Sequence, residues 1–94
     1  MRRQSQIVKL KFAGLKFTWD DFKARANERN HGVTFEEAAS CWLDPYNLEF
    51  DDTEHSQEES RWLLLGTSRL NRLLICWFTE RRGNREEVIR IIGA

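Results

Sequence analysis

The stretch RWLLLGTSRLNRLLICWFTERRGNREEVIRII, residues 61 to 92, carries the reading that decides the fold. Its three apolar runs, RWLLLG, RLLICWF and EVIRIIG (the last reaching Gly93), are each of strand length and are separated by the turn-like segments TSRLN and ERRGNRE. Runs of that size joined by short polar connections predict antiparallel strands in a meander. Just upstream, YNLEF (46 to 50) alternates with a period of two and places Tyr46, Leu48 and Phe50 on one face, so a further strand is expected there.

Toward the N-terminus the period lengthens. Thr34 opens TFEEAASCWLD with Glu37 three residues on, a capping box in which each side chain satisfies the other residue's free backbone N–H. Phe35, Ala38, Ala39, Trp42 and Leu43 recur at helical spacing, and Asp44-Pro45 ends the run. Before it, Asp20 is a good N-cap for DFKARANERN, and His31-Gly32 supplies the stop because glycine accepts the left-handed conformation of a helix end. LKFTWD (15 to 20) is an extended candidate with Leu15, Phe17 and Trp19 on one face, while IVKLKF (7 to 12) reads as a strand or as an extended leader. The expected class is α+β: two N-terminal helices followed by an antiparallel sheet of about four strands. Residues 1 to 94 are expected to form a single domain, with 1 to 14 an extra leader or edge strand.

Composition sets outer limits. A chain of 94 residues with 40% hydrophobic and 12% aromatic content suits one globular core. Cys41 and Cys76 lie among apolar neighbours with no signal peptide before them, so buried reduced thiols are expected rather than a disulfide framework. No apolar run approaches the roughly 18 residues of a membrane span, and none follows Met1-Arg2-Arg3, which predicts a cytoplasmic protein. No CxxC, HExxH or glycine-rich phosphate loop is present, so no metal and no nucleotide cofactor is expected.

The zero net charge conceals unlike blocks. Residues 1 to 29 hold eight Lys or Arg against three acids, 36 to 59 hold nine acids and no Lys or Arg, and 61 to 94 hold seven Arg against three acids. Either the blocks interleave on folding and cancel, or they leave a cationic face for phosphates beside an anionic face for a basic partner.

Several segments together resemble a known family. FTWDDFKARANERNHGVTFEEA, Asp52, HSQEESRW, GTSRLNRLLICWFTER and IRIIGA are similar in order and spacing to the BrnT family, the toxins of type II toxin-antitoxin pairs. The resemblance implies a RelE-like fold and a metal-independent endoribonuclease that cleaves RNA and inhibits translation. It also implies neutralisation by a ribbon-helix-helix antitoxin, BrnA-like, in a heterotetramer. It does not cover the N-terminal residues 1 to 14, and relatives continue past the point matching Gly93-Ala94 into a basic C-terminal helix. A second reading is therefore a degenerate, non-catalytic toxin-like domain that only binds the antitoxin or another protein.

RNA cleavage without a metal needs the ribose 2′-OH deprotonated, the leaving 5′-oxygen protonated, and cations to offset charge on the phosphorane. Catalytic candidates are His55, Glu59, Arg61, Arg81 and Arg90; RNA-binding candidates are Arg72, Arg82 and Arg85. Glu59 and Arg61 are two apart and project to one face of an extended segment, as a wall of the site or as a surface ion pair. His55, among carboxylates that favour its protonated form, suits a general acid or is a solvated loop histidine. Arg90 sits between apolar pairs in VIRII, so it must reach solvent or a partner across the sheet. Arg81, Arg82 and Arg85 cluster near a hairpin tip. His31 reads as a helix-end residue, and Trp19, Trp42, Trp62 and Trp77 read as core rather than as platforms for bases.

Overall fold

The chain enters the fold as a hairpin. In the computed structural model, which describes residues 6–55, 60–82 and 87–94 with the side chains of His55, Arg81 and Arg82 outside the described set, β1 (Ile7–Phe12) pairs antiparallel with β2 (Leu15–Asp20). Its two-residue turn places Ala13 at φ 51° and Gly14 at φ 77°. Positive φ at both central positions is the turn whose twist matches right-handed strands, and Gly14 adopts it without steric cost.

Asp20 ends β2 and caps α1 (Asp21–His31), accepting a hydrogen bond from the Phe22 amide at 3.1 Å. Gly32, at φ 69°, closes the helix by donating its N–H to the Glu28 carbonyl. Thr34 caps α2 (Phe35–Ser40) by accepting from the Glu37 amide at 3.1 Å, and a single 3₁₀ turn over Cys41–Leu43 continues it. The returning half of the expected capping box is replaced: the Glu37 carboxylate turns into the protein to meet Ser68 and Arg72. Then follow β3 (Leu48–Asp51), β4 (Arg61–Thr67), β5 (Leu73–Arg82) and β6 (Glu87–Gly93).

Among the described residues, six strands form one mixed sheet in the order β1-β2-β6-β5-β4-β3, and β2 runs parallel to β6. This corrects the expectation of two N-terminal helices followed by a four-stranded antiparallel sheet: two strands precede the helices and belong to the sheet. The reason lies in packing. Phe17 and Trp19 of β2 are buried, and Val8, Leu10 and Phe12 of β1 pack beside them, so the hairpin extends the sheet beyond β6. A parallel pairing between residues 16–18 and 88–90 leaves no trace in local periodicity, because it is set by contacts far apart in the chain.

Both helices cover one face. Phe35, Ala38 and Ala39 of α2, with Cys41, join Phe17, Trp19, Leu64, Cys76, Phe78, Ile89 and Ile91 in one buried cluster. Trp42 stands edge-on to Phe17 and Phe78, with ring centroids 5.3 and 5.0 Å away. Cys41 and Cys76 are buried and unbridged. Asn27 of α1 fastens the helix to the end of β6, donating to the Ala94 carbonyl at 2.9 Å and accepting from its amide at 3.1 Å. Among the described residues no helix covers the opposite face of the sheet, and no helix is long and apolar enough to cross a membrane.

Candidate active site

The alternation of side chains along each strand sorts charge onto that open face. Trp62, Phe78, Ile89 and Phe17 lie toward the helices, so their neighbours Arg61, Thr79, Arg90 and Thr18 point away from them. The register aligns these four in one row: Arg61 pairs with Thr79, Thr79 with Arg90, and Arg90 with Thr18. Lys9 continues the row on β1. Arg61 and Arg90 thus stand on either side of Thr79, their backbones roughly 10 Å apart across two strand spacings.

Thr79 is 1% exposed, and among the described residues its hydroxyl has no hydrogen-bond partner. A buried hydroxyl left unpaired costs about 1–3 kcal/mol, so a native protein that keeps one needs a reason. Two concavities adjoin the row. One, about 60 Å³, is lined by Asp20, Lys23, Arg61, Arg90, Ile91 and Ile92, space for a few water-sized groups such as the oxygens of a phosphate. The other, about 340 Å³ and open to solvent, is lined by Asp52, Arg61, Trp77, Ile92 and Gly93. Arg61 belongs to both.

Arg61 and Arg90 are therefore the two catalytic candidates whose side chains the described structure brings together. His55 ends the 3₁₀ turn Thr53–His55 that follows β3. That turn is tied to the start of β4 through the Asp52 amide, which donates to the Arg61 carbonyl at 2.9 Å. Glu59 and Arg85 lie outside the described residues. Arg81 and Arg82 occupy the last positions of β5, in register with Val88 and Glu87.

Arg72 is placed elsewhere. Its Nε donates to Glu37 Oε2 at 2.9 Å, its Nη2 contacts Glu37 Oε1 and donates to the Gly32 carbonyl at 3.0 Å, and Ser68 Oγ donates to the same carboxylate at 2.6 Å. Glu37 is 2% exposed, and the Arg72 guanidinium beside it holds its carboxyl below the usual carboxylate range. Arg72 thus fastens the β4–β5 turn to α2 on the helix side of the sheet.

Among the described residues the acids of the 36–59 block differ in placement. Glu37 is buried, Asp44 accepts from the Thr67 and Tyr46 amides at 2.8 and 2.9 Å, and Glu49, Asp51 and Glu54 are exposed. The Thr67 and Tyr46 bonds hold the Asp44 carboxyl low.

A family model described as the ribonuclease toxin, BrnT, of type II toxin-antitoxin systems matches residues 19–94. The chain belongs to the BrnT family. Comparison with curated proteins yields no match. The BrnT match takes in Arg61, Thr79 and Arg90 and every residue lining both concavities, and type II membership implies an RNA target and an antitoxin partner.

Sequence reasoning passed over Asp20, Lys23, Trp77 and Thr79. In the sequence Asp20 carries the signal of a helix cap and Trp77 that of a core residue. Thr79 carried no signal, because its importance is a register position between two arginines that are distant in the chain.

Proposed function

We propose that this BrnT-family protein is a metal-independent endoribonuclease toxin that cleaves RNA and halts translation. The observation that carries the reading is the Arg61–Thr79–Arg90 row on the helix-free face, beside two concavities that share Arg61. In this scheme the 2′-oxygen of one nucleotide attacks the adjacent phosphorus, a phosphorane forms, and the bond to the 5′-oxygen of the next nucleotide breaks. The products are a 2′,3′-cyclic phosphate and a free 5′-OH. Arg61 and Arg90 face the phosphate and offset its extra charge, a role worth about 10²- to 10³-fold for one well-placed donor. His55 and Glu59 serve as acid and base, supported by the attachment of the Thr53–His55 turn beside Arg61. Arg81, Arg82 and Arg85 are the further cations of this reading, with the role of attracting the phosphate backbone.

The partner in this reading is a ribbon-helix-helix antitoxin. Such a protein is itself a dimer, so two toxin copies give a heterotetramer. Exposed Leu48, Phe50, Leu73 and Ile75 on β3 and β5 offer apolar area of the kind protein partners cover. The deciding experiment incubates purified protein with RNA in EDTA. Cleavage to cyclic-phosphate ends is expected, and RNA that stays intact at high protein concentration overturns the reading.

A further inference from the structure

The four tryptophans do not share one fate. Trp19 is 3% exposed and stands edge-on to Phe35, Trp42 sits against Phe17 and Phe78, and Trp62 packs on the core cluster. Trp77 is different. Its register partner is Leu63, one step out of phase with the buried pair Leu64 and Cys76, so its indole lies on the helix-free face, where it is 37% exposed.

That indole lines the open cleft with Arg61, Asp52, Ile92 and Gly93. A side-chain carbon built at Gly93 would lie 3.7 Å from Trp77 Cε3, so the ring rests over a backbone position with no side chain of its own. The cleft's volume of about 340 Å³ falls at the lower end of small-ligand sites. Trp77 is two residues from Thr79 on β5, about 7 Å along the strand. A phosphate held at Arg61 therefore has the ring within a nucleotide's reach.

We propose that Trp77 is the base-stacking platform of this site, receiving an unpaired nucleobase of the RNA whose phosphate Arg61 holds. The proposal rests on the ribonuclease reading. A π face beside a guanidinium is the arrangement that single-stranded RNA sites use, because every base offers a flat face and every nucleotide a phosphate. A protein anchor needs the apolar ring but not the Arg61 cation that shares this cleft, which is why RNA is the favoured occupant.

The test uses the full chain and a short single-stranded RNA that the wild type cuts, made non-cleavable by 2′-O-methylation for binding measurements. Trp77→Leu keeps apolar bulk without a π face, Trp77→Phe keeps a ring, and thermal melts confirm that both fold. Trp77→Leu should bind the RNA about 5- to 150-fold more weakly, the equivalent of about 1–3 kcal/mol per stacked base, while Trp77→Phe stays close to wild type. An abasic residue stepped through the nucleotides flanking the cut should, at one position, weaken wild-type binding by a similar factor and leave Trp77→Leu unaffected. Equal binding by wild type and Trp77→Leu, or equal loss in both on abasic RNA, overturns the platform while RNA cleavage by the wild type still stands. Trp77→Leu that cuts RNA normally but no longer binds the antitoxin makes the ring a protein anchor and overturns it too. A wild type that neither binds nor cuts RNA overturns both readings.

Discussion

Arg61 and Arg90 flank one residue, Thr79, from the two strands that neighbour it. The row puts two guanidiniums on the same face of the sheet without a loop to position them, so their spacing is set by the hydrogen-bonded backbone. Arg61→Ala and Arg90→Ala should each lower RNA cleavage about 10²- to 10³-fold while unfolding free energy stays within about 1 kcal/mol of wild type. Denaturant titrations alongside initial cleavage rates check this. Variants that melt early place these arginines in the scaffold.

Between them, the Thr79 hydroxyl is buried without a partner among the described residues. Thr79→Val keeps the β-branched shape and removes the group that costs desolvation. The variant is expected to be as stable as the wild type or up to about 1 kcal/mol more stable, because an unsatisfied buried hydroxyl destabilises. Its cleavage rate should fall about tenfold or more if the hydroxyl is kept for the substrate-bound state. Undiminished cleavage in a stabilised variant assigns Thr79 no part in the reaction.

On the helix side, the Glu37–Arg72 contact should govern stability and acid sensitivity. Arg72→Ala leaves a nearly buried carboxylate without its cation, and a clear drop in melting temperature is expected, tempered because Arg72 itself is partly exposed. Below the melting range the variant's RNA binding should be nearly unchanged. Because Arg72 lowers the folded-state pKa of Glu37, the stabilisation is fully present above the unfolded value of about 4.3 and is lost as pH falls through the lower folded value. Glu37→Gln should therefore be less stable at pH 7 yet show a flatter decline below pH ~4.3 in thermal melts.

Asn27 makes three hydrogen bonds, to Ala94 in both directions and to the Val33 carbonyl at 3.0 Å. Asn27→Ala should lower stability by about 1.5–3 kcal/mol, several ordinary bonds' worth. Amide exchange should quicken most at Ala94, whose N–H the side chain accepts. Unchanged exchange there removes Asn27 as the tie between α1 and β6.

Local chemistry alone settled the two helices and their caps at Asp20, Gly32 and Thr34, the runs that became β4, β5 and β6, and the burial of Cys41 and Cys76. Those features depend on a residue and its near neighbours, through capping geometry, side-chain period and turn residues. The family was legible for a related reason, since its motifs are ordered along the chain. Tertiary structure decided the rest. The parallel joining of β2 to β6 carried the first hairpin, which local signals leave as an extended segment and a leader or edge strand, into a six-stranded sheet. The same long-range register separated Arg72, drawn to Glu37 behind the sheet, from Arg61 and Arg90 in front of it. It also turned Trp77 outward while Trp19 went in. Which face a strand residue occupies reverses with a one-residue change of register, and register is fixed only when distant strands pair.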